Sequence, residues 1–314
     1  MKTRHPLFLF LFLFVLILGA AARAELTDEQ RRNPLEVDSP DPKLTKIVLL
    51  AGPTSHAGGQ HEYFAGCALL ADWLKQTPGV WPVLVGDGWP KNEAVLDGAK
   101  AIVVYMDTGA KFPLLEPARW AKLKQIVAGG AGFVMLHQSV DVAPAQAEDV
   151  KSWLGAVFQP DIGNRGHWDQ ELTEIAKHPV TRGVAPFSVA GDGWLFNLHF
   201  APTAVSLVAG PVPDKARTTA DAKSHNGRAE VMAWAYERPT GGRGFGFTGG
   251  DIHKNWGLDP QRRLVVNGIL WTAGLEIPAE GAPAVLKEGS LTANLDTKAP
   301  AVKKPAAPAA APKE

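Results

Sequence analysis

A doubly wound, mostly parallel α/β sheet is the fold class that this sequence predicts, and three observations carry it. Short continuous apolar runs recur through the first half of the chain, as in strands covered on both faces. Segments with helical apolar spacing lie between them, giving β-α-β-β-α-β order. Loops rich in histidine and glycine follow several of the runs, and such sheets hold ligands beyond the carboxyl ends of their strands.

The elements follow in order. Lys46 to Gly52 is an unbroken apolar run and the first strand. Glu62 to Gln76 has Phe64, Leu69, Leu70, Trp73 and Leu74 at helical spacing. Val80 to Val85 and Ala101 to Met106 read as the second and third strands. Pro117 to Ala128 reads as a helix, with proline at its start and Gly129-Gly130 past its end. Gly132 to His137 is the fourth strand. The loops at 52–61, 107–113 and 137–144 are therefore where chemistry is expected. Gly241 to Gly250 reads as a turn followed by a strand.

Composition narrows the function. The chain has 314 residues, 46% hydrophobic, with 32 basic and 32 acidic side chains. That supports a sizeable core and excludes disorder of the whole chain. No basic surplus exists, so a nucleic-acid partner is disfavoured. The single cysteine, Cys67, excludes an intramolecular disulfide framework and a multi-cysteine metal site. Residues 1–24 read as a secretory signal peptide: a basic start, an apolar run from Leu7 to Leu18, and Ala22-Arg23-Ala24 before Glu25. The twelve-residue run is short for a bilayer span, so no membrane insertion is expected after cleavage. The leader takes three of the 32 basic residues and no acid, leaving 29 basic against 32 acidic. A periplasmic or secreted location is expected. Residues 25–44 read as a polar linker, 45–278 as the α/β domain, and 279–314 as an Ala/Pro/Lys-rich flexible tail.

Imidazoles crowd the predicted ligand edge. His56 and His61 follow the first strand, and His137 ends the fourth. His167 and His199 lie further on, and Gly249-Gly250 leads into Asp251 and His253. Imidazoles converging with Glu62, Asp141 or Asp251 would suit one divalent metal ion, of open identity, or general acid–base work. The tentative ligand set is His56, His61, His137, Asp251 and His253. No spacing is a metal signature, and each imidazole has the alternative of capping a strand or helix. No GxGxxG or P-loop lysine is present, so no nucleotide is expected. Arg243, in the glycine-rich stretch, is a substrate-clamp candidate against a structural role.

The strings GPTSHAGGQHEYFAGCALLADWL, GGAGFVMLHQSVDV, HPVTRGVAPF and ERPTGGRGFGFTGGDIHKNW resemble the ThuA-like family, named for trehalose utilisation. The resemblance covers about residues 45–278. It implies a flavodoxin-like sandwich with helices on both faces of the sheet, similar to class I glutamine amidotransferases but without their Cys-His-Glu triad. The strand-to-helix elbow here carries His137, and Cys67 falls on the first helix, so glutamine hydrolysis lacks its thiolate. Family members are associated with disaccharides and 3-keto sugars. Two departures stand out. The family's Asp-Glu-Trp-Tyr is Asp192-Gly193-Trp194-Leu195, and its Gly-Gly-His-x-His is Gly249-Gly250-Asp251-Ile252-His253.

Two functions from different classes remain. One is an exported enzyme of disaccharide or 3-keto-sugar catabolism. Its catalytic candidates are His137, His61 and Asp141, and its sugar-contacting candidates are Trp168, Trp194, Trp256 and Arg243. The other is a carbohydrate-binding or assembly protein that kept the fold and lost catalytic acids, for which Gly193 speaks. Either way the expected partner is a small carbohydrate, and homo-oligomerisation stays open.

Overall fold

The computed structural model describes residues 26–109 and 112–298. The leader at 1–24 and the tail past 298 lie outside those residues. The described strands are β1 Thr45–Ala51, β2 Val80–Val85, β3 Ala101–Tyr105, β4 Gly132–Leu136, β5 Ala156–Val157, β6 Asn164–Leu172, β7 Glu174–Ile175, β8 Phe187–Phe196, β9 His199–Phe200, β10 Val205–Gly210, β11 Glu230–Glu237 and β12 Arg243–Phe247. The α-helices are α1 Tyr63–Leu74, α2 Pro117–Ala128, α3 Pro144–Leu154, α4 Ala220–Lys223 and α5 Asp259–Thr272.

Eight strands form one sheet in the order β2-β1-β3-β4-β12-β11-β10-β7. Pairing is parallel from β2 through β12 and antiparallel from there on. The apolar runs are continuous because both faces of this sheet are covered. Ile47, Leu49 and Ala51 of β1 join the cluster under α1 and α5. Val48 and Leu50 of the same strand join the opposite cluster under α2 and α3. This is a mostly parallel sheet whose parallel part has the flavodoxin-like strand order 2-1-3-4-5. β1 stands next to the edge, and β3 separates it from β4. The loop after β3 is therefore flanked by the loops that carry His61 and His137.

Outside the sheet, β6 and β8 form a separate antiparallel hairpin. It arches over the carboxyl edge and supplies a wall that the linear pattern did not reveal.

The segments bordering the domain also dock. In the stretch read as a linker, Leu35 bridges Leu84 of β2 and Gln30 is buried. In the stretch read as a flexible tail, Ala282 and Ala284 are buried. Asn267 Oδ1 accepts from Ala282 N at 2.8 Å, and Gln76 exchanges two hydrogen bonds with the backbone of Val285 at 2.9 and 3.0 Å. Composition pointed to a tail because it counts apolar residues. The docking instead rests on backbone groups captured by side chains of α5 and of the residues after α1.

Candidate functional site

Three of the described non-glycine residues with left-handed backbone are the histidines at the sheet edge: His56 at φ 56°, His61 at φ 48° and His137 at φ 53°. Non-glycine residues adopt this conformation rarely and at a cost, and it concentrates where a side chain must be aimed. His137 directly follows β4 and opens a 3-10 turn, so the chain reverses sharply and its ring points into a cavity of about 440 Å³. His56, His61, Asp107 and Asp251 also line that cavity, as do Arg165 and His167 of the arching hairpin.

The hydrogen bonds assign the tautomers. Nδ1 of His137 lies 2.9 Å from the carbonyl of Thr248. A carbonyl only accepts, so this nitrogen carries the proton and Nε2 holds a lone pair. Nδ1 of His61 donates to Asp107 at 2.9 Å, and Tyr63 Oη donates to the same carboxylate oxygen at 2.7 Å. Both Nε2 atoms then face each other at 3.0 Å, and Asp251 Oδ1 is 3.2 Å from that of His61. Asp251 Oδ1 is buried and has no hydrogen bond of its own. Its other oxygen accepts from His167 Nε2 at 2.6 Å.

Electrostatics follow from this packing. Burial, with His61 beside it, pushes His137 down to about 4, so this ring is neutral at pH 7. Burial also opposes charge on His61, but Asp107 and Asp251 outweigh it and raise its pKa. Despite burial, His167 and His61 hold the Asp251 carboxyl well below the usual range. Behind the site, burial raises Asp192 to about 6, against backbone N–H groups of Ile252, Gly250 and Gly193 that favour its charged form. Two of those bonds, from Gly250 N at 3.0 Å and Ile252 N at 2.9 Å, fasten the turn that presents Asp251.

The grouping of His61, His137 and Asp251 fits a divalent cation on three counts. All three ligand atoms lie within 4.8 Å of one another. Each imidazole donates its other N–H to a fixed acceptor, the arrangement that orients metal-bound histidines. The carboxylate oxygen facing them is orphaned. A second grouping, His56, His61 and Asp107, is equally compact. It would need the same Nδ1 of His61 that donates to Asp107, so Asp107 acts instead as the orienting carboxylate.

Not every expected residue reaches this cavity. His253 is buried elsewhere, with Nε2 donating to the carbonyl of Leu291 at 3.0 Å. Left-handed Gly250, at φ 100°, turns the chain so that Asp251 faces the cavity, while His253 opens a 3-10 turn behind it. Trp256 is wholly enclosed between Trp73 and Tyr105, a core residue rather than a sugar platform. Arg243 opens β12 at the opposite end of the sheet, where its guanidinium stacks on Trp271 and donates to that residue's carbonyl at 2.9 Å. Asp141 stands outside the cavity lining and pairs with Arg165 at 2.6 Å. Trp194 lines the cavity although almost enclosed, and Trp168 lines a neighbouring depression. The residue that the reading of side chains passed over is Asp107. Its loop was singled out, but only the placement of β3 between β1 and β4 shows that this carboxylate meets His61.

A larger depression, of about 730 Å³, lies at the amino ends of β3, β4 and β12. Its buried guanidinium, Arg238, is spent on backbone carbonyls, including Ala131 O at 2.6 Å. No imidazole lines it, and the site is assigned to the smaller cavity.

Cys67 sits inside α1, fully buried, and burial raises its thiol pKa. It does not line the cavity. Replacing it with Ala is expected to cost about 1 kcal/mol of stability through lost packing. Zinc affinity, measured by calorimetry, should stay unchanged, and a loss in a folded Cys67→Ala protein would contradict this placement.

A flavodoxin-like sheet with an imidazole directly after its fourth strand defines the class of this molecule. The family model described as ThuA, trehalose utilisation, matches residues 54–272, and the chain belongs to that family. Two solved structures similar to it are thua-like proteins. That from Bacteroides uniformis is 16% identical at a TM-score of 0.52, covering 78% of this chain and 97% of its own. That from Parabacteroides merdae is 14% identical at a TM-score of 0.52, covering 77% and 96%. No curated relative matches the chain in sequence.

Proposed function

We propose that the cavity is the working site of an exported carbohydrate-processing enzyme, with His61 Nε2, His137 Nε2 and Asp251 Oδ1 holding one divalent metal ion. The substrate would be a small sugar of the disaccharide or 3-keto-disaccharide kind, and the reaction hydrolysis or proton transfer beside a carbonyl. The single observation that supports this most is the convergence of two anchored imidazole lone pairs on an orphaned, buried carboxylate oxygen. Two opposed lone pairs at hydrogen-bond distance call for a positive charge between or beside them, a proton or a cation. When bound, the ion supplies Lewis-acid polarisation of a sugar oxygen.

The chain's own groups do the rest. Thr248 and Asp107 fix the two rings, so little reorganisation is needed on binding. His167, more than half exposed at the cavity mouth, is placed to exchange protons with solvent while its Nε2 holds Asp251. Arg165, Gln60 and Gln138 line the walls with the N–H donors that sugar hydroxyls require.

Calorimetric titration with zinc and manganese, followed by turnover assays on 3-keto-disaccharides, tests the reading. Tight binding of one ion per chain and metal-dependent turnover are expected. Sugar binding with no turnover in the metal-loaded protein would instead establish a carbohydrate-binding role. The export part has its own check. Mass spectrometry of the native protein should find Glu25 as the mature N-terminus, and a soluble form retaining the leader would refute it.

A further inference from the structure

Beyond the family-matched span, the segment from Lys287 to Lys298 returns to the carboxyl edge and touches the loop that carries His61. Its last described residue is the most engaged. The Lys298 side chain is 2% exposed, and its ammonium donates to Gln60 O at 2.6 Å and to His61 O at 3.0 Å. It also lies 3.3 Å from Glu62 Oε1 and 3.4 Å from Asp296 Oδ2. Two consecutive backbone carbonyls thus turn toward one cation. The left-handed backbone of His61, at φ 48°, accompanies this arrangement.

Further bonds weave the segment into the site. Asp296 N donates to Glu62 Oε2 at 2.8 Å, while Gly59 N donates to Glu62 Oε1 at 2.9 Å. Leu291 O accepts from His253. Asn294 is gripped by Gln30 and Asn33 of the amino-terminal segment at 2.9 and 2.7 Å. His61 N in turn donates to Asp251 O at 2.9 Å, and His253 N to Gly59 O at 2.9 Å. The strap therefore contacts the loop of His61 and the loop of Asp251 where the two are laced together.

We infer that this C-terminal strap is a positioning element of the site, and that Lys298 is its positioning residue, holding the backbone of His61 in the left-handed conformation that aims its ring. The inference deepens the metal-site reading and rests on it for its functional consequence, but not for its structural one. An ammonium satisfied by two carbonyls and a carboxylate inside the protein offsets its own desolvation. Without it the Gln60 and His61 carbonyls face a buried Glu62 carboxylate, and the loop is free to relax away from φ 48°.

The test uses the full mature chain in four forms: wild type, Lys298→Met, Lys298→Arg and Lys287→Met. Lys287 lies on the same strap, but its side chain makes an exposed pair with Asp72 at 3.4 Å, so it controls for strap docking. Two readouts are taken: amide hydrogen exchange without metal, and zinc binding by calorimetry. Lys298→Met should raise exchange at residues 59–63 at least about tenfold while β1 and β3 stay protected. It should also weaken zinc about tenfold, as lost support of a ligand does. Lys298→Arg, which keeps the charge, should fall between, and Lys287→Met should match wild type. If Lys298→Met unfolds because Glu62 is left unpaired, the double variant Glu62→Gln/Lys298→Met removes that charge, and the same two readings apply. Unchanged exchange at 59–63 in a folded Lys298 variant would overturn the inference. Faster exchange in a protein whose wild type binds no zinc would uphold the strap and refute the metal reading.

Discussion

Replacing His137 by Asn is expected to lower affinity for a divalent cation at least about a hundredfold, since altering even the supporting partner of a ligand costs ten- to a hundredfold. Asparagine is chosen because the position is left-handed, at φ 53°, which Asn tolerates better than Ala. Its amide can still donate to the Thr248 carbonyl, the bond that Nδ1 now makes at 2.9 Å. What it cannot supply is the Nε2 lone pair that faces His61. His137 directly follows β4. In the fold it is 3% exposed, so a small packing loss of about 1 kcal/mol accompanies the substitution. Calorimetry with zinc and a thermal melt separate the two effects. Undiminished zinc affinity in a folded His137→Asn protein would remove this residue from the site.

Gly193→Ala is expected to disturb the site although it replaces none of the candidate ligands. A Cβ at this position would lie 2.5 Å from Asp251 Oδ2 and 3.0 Å from its Cβ and Cγ. The atom in the way cannot swing aside freely. Oδ2 is bonded to His167 at 2.6 Å, and the Asp251 backbone sits in a turn fastened by Asp192. Overpacking of this kind costs about 1–3 kcal/mol, and here it falls on the carboxylate that completes the metal grouping. Zinc affinity should therefore drop at least about tenfold, and the melting temperature should fall with it. A Gly193→Ala protein that binds zinc as wild type does would show that Asp251 is free to move and is not a fixed ligand.

The same contact bears on two departures that look unrelated along the chain. Gly193 reads as a lost acid, and Asp251 reads as a histidine replaced. Folded, the Asp251 side chain fills the space directly over Gly193. Asp251 thus sets a carboxylate beside Gly193, delivered from the loop after β12. Gly193 is therefore weaker support for a protein without catalytic acids than the sequence suggested.

What the sequence determined by itself was whatever depends on local pattern. Unbroken apolar runs mark β1, β3 and β4 because strands covered on both faces need apolar residues at every position. Pro117 and Gly129 bound α2 for reasons of backbone geometry alone. Histidines placed after β1 and at the end of β4 had to leave by the same edge, since parallel strands end together, and His56, His61 and His137 do line one cavity. The tertiary structure decided everything that depends on which loops become neighbours. Strand order put Asp107 between the two histidine loops. The β6–β8 hairpin brought His167 across 84 residues of chain to Asp251. The turn at Gly250 sent Asp251 inward, while His253 went to the strap, a choice of direction that residue type cannot encode. Lys298, in a stretch whose composition suggested only a tail, is held by two carbonyls and a carboxylate of the His61 loop. Backbone carbonyls leave no mark on composition, so no reading of residue types could have found that contact.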